Sequence, residues 1–190
     1  MKRIVIFASG SGTNAENIIK YFQKNNLAEV TLVLSNKIDA KVLDRAKFFS
    51  IPSESFNKSE LMNSDRITAI LRKESPDLIV LAGFLLKFPE FILKAFPNKV
   101  INIHPALLPK YGGKGMYGML VHESVVKNKE PETGITIHYV NENYDEGSII
   151  FQKSFQLSEN DTAESVASRI HELEYEFFPK VIEEILKKDK

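Results

Sequence analysis

An amide and an imidazole stand two residues apart in Ile101-Asn102-Ile103-His104-Pro105. On a strand, that spacing points both side chains to the same side. At a strand's carboxyl end it puts them where open α/β sheets bind ligands. Such a pair suits acyl transfer: the Asn102 amide can donate to a carbonyl oxygen, and a protonated His104 can stabilise an oxyanion or protonate a departing amine. The third group this chemistry asks for is a carboxylate that keeps the imidazole charged. Asp145, in the polar turn Asn143-Tyr144-Asp145-Glu146-Gly147, is the candidate; close to His104 it would raise the imidazole pKa. The same three residues would also serve as a satisfied hydrogen-bond network at a strand end. His122, His138 and His171 are weaker candidates, and the four histidines show no paired ligand spacing, which argues against zinc or another metal. The absence of a Gly-x-Ser-x-Gly elbow argues against an α/β-hydrolase.

A second reactive-looking stretch is Ser9-Gly10-Ser11-Gly12-Thr13-Asn14-Ala15, between an apolar run and a helical one. Glycines let the backbone approach a ligand closely, and the free N–H groups of a first helical turn favour a phosphate. The spacing of Gly10, Gly12 and Ala15 also fits a loose dinucleotide pattern. That pattern needs an acidic residue at the end of the next strand, and the residues there are Leu34-Ser35-Asn36-Lys37. A monophosphate site is the better reading.

The elements that must position these groups follow from periodicity. Apolar runs predict strands over Arg3–Ser9, Glu29–Ser35, Asp77–Ala82 and Val100–Ile103, with a short edge strand over Ile51–Phe56. Between them, helical spacing predicts helices over Asn14–Asn25, over Lys41–Phe49 with Asp39 as its cap, over Ser59–Glu74 and near Phe91–Ala95. Strands Gly134–Val140 and Ile149–Phe155 alternate around a polar turn and read as an antiparallel pair. Asp161 with Glu164 reads as a capping box opening a final helix through Ile185. The expectation is a single domain over 1–190 of α/β class. Its sheet is mostly parallel, twisted and Rossmann-like, with helices on both faces and the antiparallel pair in its C-terminal part.

Composition narrows the function classes. Lys plus Arg and Asp plus Glu stand at 25 each, so no net field draws the chain to nucleic acid or to an anionic membrane. The first apolar run is too short for a signal peptide or a membrane span. With no cysteine there is no disulfide, no thiol catalysis and no Cys-ligated cluster. A cytoplasmic location is compatible with all of this.

Ser9-Gly10-Ser11-Gly12-Thr13-Asn14, Leu34-Ser35-Asn36-Lys37, Pro76-Asp77, Leu81-Ala82-Gly83-Phe84, Ile101-Asn102-Ile103-His104-Pro105, Leu107-Leu108-Pro109-Lys110-Tyr111, Thr133-Gly134, His138 and Asp145 occur in that order over nearly the whole chain. In this the chain resembles the folate-dependent formyltransferases. The resemblance implies a place in purine biosynthesis and one-carbon metabolism, with 10-formyltetrahydrofolate as donor and co-substrate and the amine of glycinamide ribonucleotide as acceptor. Carried over, it implies Asn102, His104 and Asp145 as the catalytic trio. Ser11, Gly12, Thr13, Asn14 and Glu174 would hold the acceptor and its phosphate. Leu85, Leu86, Lys87, Phe88, Asn102, Asn141, Glu142, Asn143 and Tyr144 would line the folate pocket. No metal, nucleic acid or membrane partner is implied, and the chain would be a monomer or homodimer. Leu86 stands where relatives commonly carry Arg, Glu146 follows Asp145 in place of a second Gly, and the Gly112–Gly118 segment is longer than usual. Lys58 and Arg66 are the candidates for a basic folate contact, and the isomer of the Leu108–Pro109 bond is left open. A formyltetrahydrofolate hydrolase and a non-catalytic nucleotide-binding module are the alternatives.

Overall fold

The structure, a computed structural model, describes residues 1–188. Its centre is a seven-stranded sheet in the order β3-β2-β1-β4-β5-β6-β7, built from β1 (Lys2–Ala8), β2 (Ala28–Ser35), β3 (Ser53–Ser55), β4 (Leu78–Leu81), β5 (Val100–His104), β6 (Glu132–Tyr139) and β7 (Ile149–Gln156). The strands from β3 to β5 run parallel, while β6 pairs antiparallel with both β5 and β7. Alternation along β1 divides the core between the two faces. Ile4, Ile6 and Ala8 pack with α1 (Thr13–Gln23), α2 (Lys41–Phe48) and α7 (Ala163–Lys188), and Val5 and Phe7 pack with α4 (Arg66–Glu74) and α5 (Glu90–Ala95). The expected α/β sheet, covered on both faces and extended by an antiparallel pair, is what forms. Among the described residues no helix is long and apolar enough to cross a membrane.

Strand order reverses between β1 and β4, since the chain runs outward through β2 and β3 and then returns to the other side of β1. A crevice opens outside the carboxyl ends at such a point. Here it is laced together by Ser9, whose hydroxyl donates to Asn36 Oδ1 at 2.6 Å and accepts from the Leu85 N–H at 2.9 Å, while the Ser9 N–H donates to the Gly83 carbonyl at 3.0 Å.

Several local expectations are corrected. The predicted helix over Ser59–Glu74 is two, α3 (Lys58–Asn63) and α4, parted at Ser64 and Asp65. Ser64 Oγ takes the Glu60 carbonyl at 2.7 Å and so competes with the backbone ladder. Asp39 does not cap α2: its N-cap is Ala40, and the Val42 N–H instead donates to the Gly10 carbonyl at 3.2 Å, a partner supplied by tertiary structure. The opening of α7 is shifted by one residue from the expected box. Thr162 and Ser165 bond reciprocally at 3.0 and 3.2 Å, and Asp161 instead accepts from Ser158 and Ser165. One helix, α6 (Met119–Lys127), has no counterpart in the sequence reading. The Leu108–Pro109 bond is cis.

Pro179 lies inside α7 and has no N–H for the carbonyl four residues back, which belongs to Tyr175. Asn17 on α1 fills the gap, its Nδ2 donating to the Tyr175 carbonyl at 2.8 Å. Asn17→Ala should therefore destabilise the protein by about 1 kcal/mol in urea unfolding. In a Pro179→Ala background, where the helix can satisfy its own carbonyl, the same change should cost measurably less. Equal costs in the two backgrounds would show that the Asn17 amide does not replace the missing helix bond.

Candidate active site

The crevice is a cleft of ≈ 630 Å³ lined by both sequence-predicted groups, the Gly10–Asn14 loop on one side and Asn102, His104 and Asp145 on the other. Their meeting follows from topology. Asn102 and His104 close β5, and the antiparallel β6 sets His138 directly across from Asn102. The chain then turns between β6 and β7 and brings Asp145 back over the end of β5. That turn is held by the Asn143 N–H on Asn141 Oδ1 (3.0 Å) and by Asn143 Nδ2 on Glu146 Oε2 (2.9 Å). Asp145 itself sits at φ 57°, a left-handed conformation that Asp tolerates better than most residues. Gly147 is required two residues on, because a Cβ there would overlap the Tyr139 carbonyl oxygen.

The Asp145 side chain is 12% exposed, and that of His104 is 4% exposed. Asp145 Oδ2 accepts from the Gly113 N–H at 2.9 Å and lies 3.6 Å from His104 Nδ1, while Oδ1 lies 3.6 Å from His138 Nε2 and 3.5 Å from Asn102 Nδ2. Burial pushes this carboxyl up, yet His138, His104 and the Gly113 amide outweigh it and hold it below the ordinary aspartate value. His104 goes the other way from the expectation. Burial pulls its pKa below the usual histidine value, and Asp145 and the Tyr111 carbonyl oppose that only in part. The resting imidazole is therefore neutral near pH 7, not held charged.

The tautomers follow from the backbone. His104 Nε2 lies 2.7 Å from the Tyr111 carbonyl, which can only accept, so Nε2 carries the proton and Nδ1 keeps its lone pair. His138 Nδ1 is 2.8 Å from the Tyr139 carbonyl by the same logic, and in the neutral ring its Nε2 accepts from Asn102 Nδ2 at 3.2 Å. That contact fixes which way round the Asn102 amide sits. The second N–H of Nδ2 has only a long reach to Asp145 and is free for an incoming oxygen.

At the other end, Gly12 is the N-cap of α1 at φ 73° and offers no side-chain cap. A Cβ there would overlap Val42, so only glycine lets the loop close against α2. Arg45 holds the loop from outside, Nε donating to the Ser11 carbonyl at 2.7 Å while its guanidinium pairs with Glu16. Asn14 Nδ2 donates to the buried Glu174 Oε2 at 2.8 Å, and His171 Nδ1 lies 3.0 Å from the same oxygen. That carboxylate lifts the His171 pKa against burial. Asn14 Oδ1 is buried with no partner.

The residues singled out for folate divide. Leu85 and Tyr144 line the cleft with Asn102, whereas Leu86, Lys87, Phe88, Asn141, Glu142 and Asn143 do not. Phe88 is 3% exposed and packs edge-on to Phe7 at 5.2 Å within the core. Of the basic candidates, Arg66 is engaged by Glu54 and Glu60, and neither it nor Lys58 reaches the cleft; Lys114 does. One contributor escaped the sequence reading, the Tyr111 carbonyl, and His122, a weaker candidate there, sits on the unforeseen α6 and lines the cleft. A backbone oxygen leaves no residue-type signal. The spacing of Val121 and Val125 would have pointed to α6 had the glycines before it not suggested loop.

Comparison with known proteins agrees with this geometry. The family described as formyl transferase matches residues 2–182. The phosphoribosylglycinamide formyltransferase of Bacillus subtilis (strain 168) is 38% identical over 98% of this chain and 95% of its own length, and that of Haemophilus influenzae 37% identical over 96% and 86%. A crystal structure of phosphoribosylglycinamide formyltransferase from Bacillus halodurans superimposes with a TM-score of 0.88 at 34% identity, covering 100% of this chain and 97% of that one. Fold, cleft and relatives lead to one conclusion: the chain belongs to the formyl transferase family.

Proposed function

We propose that the chain, acting as a single domain, transfers a formyl group from 10-formyltetrahydrofolate to the amine of glycinamide ribonucleotide in purine biosynthesis. The observation that carries this reading is the convergence of Asn102, His104 and Asp145 in the same cleft as the glycine loop. A phosphorylated amine seated on the N-terminus of α1 would extend toward the three side chains, and a formyl donor would enter past Leu85 and Tyr144. A non-catalytic nucleotide module would have no use for a buried carboxylate beside two imidazoles.

The chemistry needs no covalent intermediate. The amine lone pair attacks the formyl carbon, and the carbonyl electrons move onto oxygen, an oxyanion to which the free N–H of Asn102 donates a hydrogen bond. The resulting ammonium gives a proton to Nδ1 of His104, the nitrogen left with a lone pair. Asp145 and the Tyr111 carbonyl then stabilise the imidazolium, so the carboxylate acts on the charged ring formed during reaction and not on a pre-charged one. Collapse re-forms the carbonyl and breaks the bond to N10 of the folate, which takes the proton back from His104. The products are formylglycinamide ribonucleotide and tetrahydrofolate.

Mixing the protein with 10-formyltetrahydrofolate should release tetrahydrofolate only when glycinamide ribonucleotide is present. Release without acceptor would make the protein a hydrolase, and no release at all would leave the binding module. His104→Ala should lower kcat about 10²- to 10⁴-fold with an unchanged melting temperature; near-normal turnover would remove His104 from the mechanism. Because the reactive His104 is neutral, kcat/KM should fall on acidification through a pKa below about 6.5. Asp145→Asn removes the carboxylate that opposes burial, so this acid limb should move to lower pH as the rate drops. The acceptor's own titration is common to both proteins, and a limb that stays put or moves up would contradict the assignment.

A further inference from the structure

His122 is used by neither the fold's hydrogen-bond network nor the mechanism above, yet it is 4% exposed and lines the cleft. It sits on the first turns of α6, between the buried Val121 and Val125, on a helix that packs against α7. Its Nδ1 is buried and has no partner. A buried N–H without an acceptor is rarer and costlier than a buried lone pair. The neutral ring therefore carries its proton on Nε2, the nitrogen left to the cleft. The ring is neutral because burial pulls its pKa down; Glu174 opposes this, and His171 and His104 reinforce it.

His122, Glu174, His171 and His104 all line the one cleft. Glu174 and His171 belong to the glycine-loop end of the cleft through Asn14, and His104 belongs to the reacting end. A ligand that spans the two ends shares its cleft with His122. In the acceptor proposed above, on which this inference rests, the ribose and an amide lie between phosphate and amine. A carboxylate such as Glu174 can accept from hydroxyls but offers nothing to a carbonyl oxygen. A neutral N–H does.

We propose that His122 donates from Nε2 to the amide carbonyl of the acceptor, and so helps select an amide-linked phosphorylated amine. The contact is uncharged and remote from the formyl carbon, so it acts on binding more than on the chemical step.

His122→Leu should raise KM for glycinamide ribonucleotide about tenfold while kcat stays within about threefold and KM for 10-formyltetrahydrofolate is unchanged. His122→Gln, whose amide nitrogen reaches the Nε2 position, should restore most of the acceptor affinity; His122→Asn, which mimics Nδ1, should not. An unchanged acceptor KM in His122→Leu, equal rescue by Asn and Gln, or a matching rise for the folate would overturn the proposal. Imidazole ¹⁵N NMR of the wild-type protein provides a test independent of turnover: a neutral ring protonated at Nε2 is expected, and protonation at Nδ1 would overturn it. Wild-type protein that fails to transfer formyl to glycinamide ribonucleotide would instead overturn the function reading itself, whatever the NMR result.

Discussion

A carboxylate taken out of water must be surrounded by donors or positive charge, and Asp145 is the point at which this molecule meets that demand. The Gly113 N–H donates to it at 2.9 Å, and the Asn102 amide lies within a long reach. The rings of His104 and His138 flank its two oxygens at 3.6 Å, where either ring would answer it with positive charge once protonated. Burial pushes its pKa up, and the histidines and the Gly113 amide more than offset that and hold it below the ordinary aspartate value. The neighbours are in turn held by it. Remove the carboxylate and Gly113 loses the acceptor that ties the glycine-rich segment to the cleft, while His104 loses the charge nearest its Nδ1. One buried charge thus organises a loop, a strand end and a turn.

That arrangement depends on the antiparallel appendage to the sheet. A purely parallel continuation would have carried the chain away from the carboxyl end of β5 through a crossover. The reversal into β6 sets His138 opposite Asn102 in register, and the turn that follows delivers Asp145 to the same end. On the other flank, the switch point between β1 and β4 creates the crevice, and Ser9 links three strand ends across it. The cleft therefore has two independently built walls, one of backbone amides at the glycine loop and one of polar side chains at the end of β5.

What the sequence made legible is what local chemistry dictates. The buried strands announce themselves by β-branched runs, and Asn102 with His104 by spacing at a strand end. The glycine loop is legible because Gly12 answers a steric need at Val42. What stayed hidden depends on distant parts of the chain. No pattern near Asp39 reveals that the Gly10 carbonyl will cap α2. Phe88 follows an exposed Lys87 in a segment expected to face folate, and only the fold shows it filling the space beside Phe7. Ser64 breaks a helix that periodicity joins, through a hydroxyl whose competing bond is a matter of geometry. α6 is masked by the glycines ahead of it, so His122 could be named by residue type but not placed on an element.

The protonation state of His104 is the most instructive difference, because pairwise reasoning gave the wrong sign. A nearby Asp does favour the charged imidazole, and the sequence placed that Asp correctly. The ring is buried, however, and its Nδ1 is 3.6 Å from the carboxylate, beyond a normal hydrogen bond. At that separation the charge attraction is diluted, while the desolvation of the ring is nearly complete, so burial wins. In the proposed reaction this is the more useful outcome. A ring already charged could not take the proton that the attacking amine must lose, whereas a neutral ring beside a fixed carboxylate is poised to take it and to be stabilised once it has. The gap between His104 and Asp145 thus keeps the base unprotonated at rest and still leaves its conjugate acid within reach of a negative charge.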